Sequence, residues 1–126
     1  MPPIHVVLAR QDAALSDNLV RSIQKQFLDL ATVGTAEEAR NAIARTRAAL
    51  AVVDLEVVGL SQLGELCHEF PATAFVCIHR LADDDMWSRC LAAGAVDCCF
   101  TGDLPRILQS SERYIAFKNT HATSAA

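Results

Sequence analysis

Short apolar runs alternate along the chain with stretches whose apolar residues recur every three or four positions. Ile4 to Ala9 (IHVVLA) is β-branched, apolar and too short for a helix, which reads as a buried strand. Leu15, Leu19, Ile23 and Phe27 each follow the last by four residues and mark one face of a helix, with Asp12 placed to cap it. Leu28 to Val33 is a weaker strand closed by Gly34. Thr35 with Glu38 forms a capping-box pattern that opens a helix through Arg47, with Ala39, Ala42 and Ile43 inward. Leu50 to Leu55 (LAVVDL) is a second strongly buried strand, followed by a helix over Leu60 to Phe70 that stops near Pro71. Ala74 to His79 (AFVCIH) is another buried strand. Asp83 or Asp84 caps the next helix, which carries Met86, Trp87, Cys90 and Leu91 and ends at Gly94. Val96 to Thr101 (VDCCFT) is the last strand. Asp103 caps a final helix with Leu104, Ile107, Leu108, Ser111 and Ile115 on one face, and Pro105 is tolerated in its first turn.

Strand and helix therefore alternate in βα units along the whole chain. Such alternation builds an α/β fold with a parallel sheet and helices on both faces. Right-handed crossovers leave few topologies. The common solution is the flavodoxin-like (βα)5 arrangement in strand order 2-1-3-4-5, with its crevice beyond the carboxyl ends of strands 1 and 3. Residues 1–118 form one domain in this reading. Residues 119–126 (NTHATSAA) are small and polar, and read as a disordered tail or the start of a linker.

Composition narrows the function. The 126 residues are 52% hydrophobic and 21% charged, enough for one core without staples. No apolar run approaches the ~20 residues of a membrane span, and the first residues lack a secretory pattern. The net charge is −4 and the basic residues are scattered, so direct nucleic-acid contact is not expected. Five cysteines lie mostly inside apolar stretches without zinc-ribbon spacing. They read as reduced, partly buried thiols of a cytoplasmic protein. Cys98 and Cys99 are strand neighbours that point to opposite faces, so a disulfide between them would be strained.

The crevice excludes several chemistries. The first βα turn, Ala9-Arg10-Gln11-Asp12-Ala13, has no glycines to admit a pyrophosphate and no Ser/Thr/Gly-rich loop for a flavin phosphate. No Gly-x-Ser-x-Gly turn is present. What remains is Asp54, an acid at the end of an apolar strand, where acids are seldom placed without a reason. It either caps a loop or pairs with Arg10, or else it accepts a phosphoryl group.

Three features together resemble the receiver domains of two-component response regulators, over about residues 4 to 118. Asp54 ends strand 3, the segment Ala93-Gly94-Ala95-Val96-Asp97 resembles the family's turn into strand 5, and the βα units have the family's lengths. The resemblance implies a phosphoacceptor carboxylate at Asp54. It also implies an acidic pair after strand 1 for Mg²⁺, a Thr or Ser ending strand 4, and a Lys-Pro ending strand 5. Physics explains the set, because a carboxylate attacking a phosphoryl donor brings negative charges together and a cation must neutralise them.

This sequence departs from that pattern. The register places Arg10 and Gln11 at the acidic pair, His79 at the hydroxyl, and Thr101 and Gly102 at the Lys-Pro. A slip of one residue would bring Asp12 into the acidic pair but would break the helix register that follows. Arg10 and Asp54 are expected at adjacent strand ends as an ion pair, with the guanidinium in the metal's space. At ~4 Å and an effective dielectric of ~20 the attraction is about 4 kcal/mol before desolvation. The expectation is a pseudo-receiver, not an enzyme, needing no cofactor; Mg²⁺ would enter only if Asp54 were phosphorylated by a histidine kinase. His79 at a strand end is expected to be simply hydrogen-bonded, with a pH role open. The resemblance further implies that the face made by the fourth helix, fifth strand and fifth helix docks a protein partner or output domain, or a second copy. Met86, Trp87, Cys98 and Arg106 would serve there. A small-ligand or redox sensor at the altered pocket is a third, minor reading.

Overall fold

Five short runs of β-branched and apolar residues become the five strands of one parallel sheet. These are β1 (His5–Ala9), β2 (Asp29–Val33), β3 (Leu50–Asp54), β4 (Ala74–His79) and β5 (Asp97–Phe100), in the order β2-β1-β3-β4-β5. The computed structural model describes residues 4–10, 20–21, 24–25 and 29–125, with side chains described as far as Tyr114. Among the described residues, the helices whose ends are defined are α1 (Ala36–Thr46), α2 (Leu60–Glu69), α3 (Asp84–Ala93) and α4 (Leu104–Ala125), each after its strand. The helix expected on Leu15, Leu19, Ile23 and Phe27 falls largely outside the described residues, as do Asp12 and Gln11. Residues 20–21 and 24–25 are helical.

Both faces of the sheet are covered, which is why its strands carry continuous apolar runs. Val7, Ala9, Ala51, Val53, Phe75, Cys77 and Cys98 point to one side, beneath Ala39, Ala42 and Ile43 of α1, Leu63 and Leu66 of α2 and Cys90 of α3. Their neighbours Val6, Leu8, Leu50, Val52, Val76, Ile78 and Cys99 point to the other, beneath Ile107 of α4. Cys98 and Cys99 thus face opposite layers, as alternation requires. None of the five cysteines is in a disulfide.

The helix starts follow the expected chemistry. Thr35 Oγ1 accepts from Glu38 N–H at 3.1 Å, Asp83 Oδ1 from Met86 N–H at 2.9 Å, and Asp103 Oδ1 from Arg106 N–H at 3.4 Å. Gly94 ends α3 at φ 114°. The last helix does not stop near Lys118: its backbone runs to Ala125. After Pro105 it meets no glycine or proline, and its final residues are small ones that a helix accommodates. No helix among the described residues is long and apolar enough to cross a membrane.

Candidate functional site

Register carries the site residues to one edge of the sheet. Ala9 pairs with Val53, so Arg10 and Asp54 lie level at the carboxyl ends of β1 and β3. Asp54 pairs with Ile78, and His79 pairs with Phe100, which stations His79 and Thr101 one step further along the same edge. Arg10 N–H donates to Val33 O at 3.0 Å and Thr101 N–H to His79 O at 3.1 Å, so main-chain bonds fix both at the strand ends. Arg10, Asp54, His79 and Thr101 therefore lie along one edge of the sheet, at the carboxyl ends of β1, β3, β4 and β5.

Asp54 is half-buried, and its surroundings set its charge. Burial is the largest influence and raises its carboxyl above the ordinary value; the Glu56 N–H, His79 and Arg80 pull it down without cancelling that rise. Oδ1 accepts from Glu56 N–H at 2.9 Å. The Glu56 carboxylate in turn holds Arg80 Nε at 2.8 Å. Arg80, held against Glu56, is a cation from the loop after β4 that acts on Asp54. His79 Nδ1 accepts from Leu81 N–H at 3.0 Å, so the ring is hydrogen-bonded as expected for a strand-end histidine.

A raised carboxyl means that the fold penalises the ionised form of Asp54. The penalty is present above the folded-state value and vanishes below the unfolded one. Asp54→Asn, which keeps an oxygen for Glu56 N–H, should therefore raise the melting temperature at neutral pH and lose that advantage in acid. A variant less stable than the wild type at neutral pH would contradict this.

A second cluster, missed in the sequence, sits at the other end of β5. Asp97 is 8% exposed. Its Oδ1 accepts from Cys98 N–H at 2.8 Å, Trp87 Nε1 at 3.2 Å and Arg106 at 3.2 Å, while Oδ2 accepts from the Ser110 hydroxyl. Burial pushes the carboxyl up, but the Ser110 hydroxyl, the Cys98 N–H, Arg106 and Trp87 outweigh it and hold it below the ordinary value. The facing charge raises Arg106 in agreement. A rule already applied to Asp54 would have found it: Asp97 is an acid among the apolar residues of β5, and such acids need partners.

The residues assigned to a partner face separate here. Trp87 is 42% exposed and Arg106 lies on the surface, both tied to Asp97. Cys98 is a correction, being 2% exposed because it points into the layer under α3. Met86 is half-buried and packs on the same layer. Hollows of about 250 and 340 Å³ flank the Trp87–Arg106 ridge. Contact with Cys77 leads the causes that push the Cys90 thiol up to about 12, and burial leads those that do so for Cys99. Protonated thiols of this kind are poor nucleophiles, which weakens the redox reading.

No protein-family model and no curated protein matches the chain. Solved structures do. The signal receiver domain of a putative LuxO repressor protein from Vibrio parahaemolyticus superposes with a TM-score of 0.87 at 16% identity, over 100% of this chain and 99% of that one. A CheY-like response regulator receiver domain from Methanospirillum hungatei gives 0.83 at 14% identity, over 95% and 99%. The beryllofluoride-activated NtrC4 receiver domain dimer gives 0.80 at 14% identity, over 90% and 98%. The chain has the receiver fold, the flavodoxin-like α/β arrangement in strand order 2-1-3-4-5.

Proposed function

We propose that this chain is a signal-transduction receiver domain of the two-component response-regulator kind that works through protein–protein contacts, without Mg²⁺-dependent transfer of a phosphoryl group to Asp54. The observation that carries this reading is the register that sets Arg10, a cation, level with Asp54 where the family has a metal-binding acid. Phosphoryl transfer adds negative charge at the acceptor and depends on a metal to offset it. The Asp54 crevice already disfavours a single negative charge. His79 and Thr101 replace the hydroxyl and lysine that would hold the transferred group. Trp87 and Arg106 supply an aromatic and a planar cation on the α3–β5–α4 face, residue types enriched at binding hot spots. The partner is an output domain, a second copy or a kinase.

The competing reading is a receiver phosphorylated on Asp54 by a histidine kinase, with Mg²⁺ as its cofactor. The half-buried carboxylate at the end of β3 favours it, as does the beryllofluoride-activated state of one structural neighbour. Incubation with Mg²⁺ and acetyl phosphate, followed by intact mass, separates the two; beryllofluoride titration followed by amide NMR gives a second readout. The proposal expects no phosphoryl adduct and no saturable shifts around Asp54. An adduct absent in Asp54→Asn would establish the competing reading.

A further inference from the structure

At the amino-terminal end of the sheet, away from the Asp54 edge, α1 and α2 both stop beside a hollow of about 410 Å³. Sites that take small molecules span roughly 300–1,000 Å³. Ile43, Ala48 and Thr73, all nearly fully buried, form its floor, and Ala44, Phe70 and Pro71 line its sides. The Thr73 hydroxyl donates to Ala48 O at 2.7 Å, so the floor offers a ligand no unpaired hydroxyl and is in effect apolar. The same bond ties the turn after α2 to the turn after α1. Ala74 N–H donates to Ala49 O at 3.0 Å, and Arg40 Nε of α1 holds Glu69 of α2 at 2.8 Å. The hollow is therefore preformed, and filling it demands little ordering.

The charges on its rim do not balance. Glu69 is already neutralised by Arg40. Arg47 also lines the hollow, and it has no ion pair among the described residues. Arg47 ends α1 at φ 53°, and among the described residues it alone, apart from glycine, has a positive φ. Glycine suits that conformation best, and a side chain there is strained. An arginine in a glycine's place thus puts backbone strain, and a cation, at the mouth of a cavity. The carboxyl ends of α1 and α2 carry partial negative charge, which opposes an anion elsewhere on the rim. A negative head group is thereby confined to the Arg47 guanidinium, with the apolar body beyond it.

We propose that this hollow binds a small alkyl monocarboxylate, its chain against Ala44, Ala48 and Phe70 and its carboxylate on Arg47. A guanidinium takes a carboxylate through two parallel N–H donors, which an alcohol cannot match. A second acid on the ligand would meet only Glu69 and the helix carbonyls, so a single charge fits best. The site lies at the opposite ends of the strands from Asp54, goes beyond the proposed function and does not depend on it.

Titration of the full chain with octanoate, followed by amide NMR, tests the site. Octanol and octylammonium carry the same chain with no charge and with the opposite charge. Octanoate should give saturable shifts centred on residues 43–49 and 69–73. It should bind about fivefold more tightly than octanol, which is what an exposed ion pair supplies, and octylammonium should bind least. Arg47→Gly suits the positive φ, so its melting temperature should equal or exceed that of the wild type while octanoate binding falls to the level of octanol. The ratio of the two affinities is read within each protein, so a change in stability does not mimic the effect. Ala44→Phe, at an exposed helical position, should fill the hollow and abolish binding of both. An absence of saturable octanoate shifts in the wild type overturns the site, as do shifts that survive Ala44→Phe. Octylammonium binding as tightly as octanoate, or an octanoate preference that persists in Arg47→Gly, overturns the role of Arg47 and with it the ligand class.

Discussion

Gly94→Ala is expected to lower the stability of the fold by about 2–5 kcal/mol. Two separate costs combine. Gly94 sits at φ 114°, where its N–H donates to the carbonyls of Cys90 and Leu91 and ends α3. An L side chain at that φ is strained, at about 1–2 kcal/mol. The added Cβ would also lie 2.7 Å from Cys67 Cβ and 3.2 Å from its Sγ. Both neighbours belong to a helix face, so relief requires α2 and α3 to move apart, and such overpacking costs about 1–3 kcal/mol. The loss is a large share of the ~5–15 kcal/mol that holds a domain together. Urea unfolding measures it, and a loss below about 1 kcal/mol would show that the helices yield freely. Adding Cys67→Gly separates the two costs. It should recover the collision while leaving the backbone strain, after allowance for the ~1 kcal/mol that a glycine costs inside a helix.

The same glycine shows why much of the fold can be read from the sequence. It ends a helical period at a residue type suited to positive φ, so pattern and conformation agree. The strands are legible for a related reason. Buried parallel strands need apolar residues on both faces, and the runs VVLA, LAVV and AFVCI have no other good home. Strand order followed from handedness and alternation rather than from any one residue. Prediction failed where no local feature marked the outcome. The end of α4 is such a place, because small polar residues without glycine or proline read equally as tail or helix.

The candidate site was legible only in outline. Asp54, His79 and Thr101 could be located because strand ends are set by register, which the apolar runs define. Their electrostatic neighbours could not. Arg80 and Glu56 meet across two loops, and no spacing in the sequence states that a residue after β4 will reach one after β3. The register sets Arg10 level with Asp54, but adjacency of backbones does not by itself fix where long side chains go. Cys98 was misplaced for a different reason. In a four-residue strand, a neighbouring exposed Phe100 and a buried Asp97 give alternation too little length to settle the facing.

Asp97→Ala is expected to cost about 2–4 kcal/mol, because it strands several donors at once. The Ser110 hydroxyl and the Cys98 N–H are buried and would lose their acceptor, while Trp87 Nε1 and Arg106 can turn partly to water. Asp97→Asn keeps the shape and one acceptor oxygen but removes the charge that faces Arg106, so its cost should be smaller. The pH dependence distinguishes a charged hub from a merely well-packed one. The folded-state carboxyl of Asp97 lies below its unfolded value. Its contribution is therefore complete above the unfolded value of ~3.9 and is lost as pH falls through the folded-state value. The stability gap between wild type and Asp97→Asn should be widest at neutral pH and close in acid. Asp54→Asn should show the opposite sign over the approach to neutrality, since that carboxyl is raised. If the Asp97→Asn gap is independent of pH, the ionised carboxylate is not what holds Trp87 and Arg106 in place, and the hub acts by shape alone.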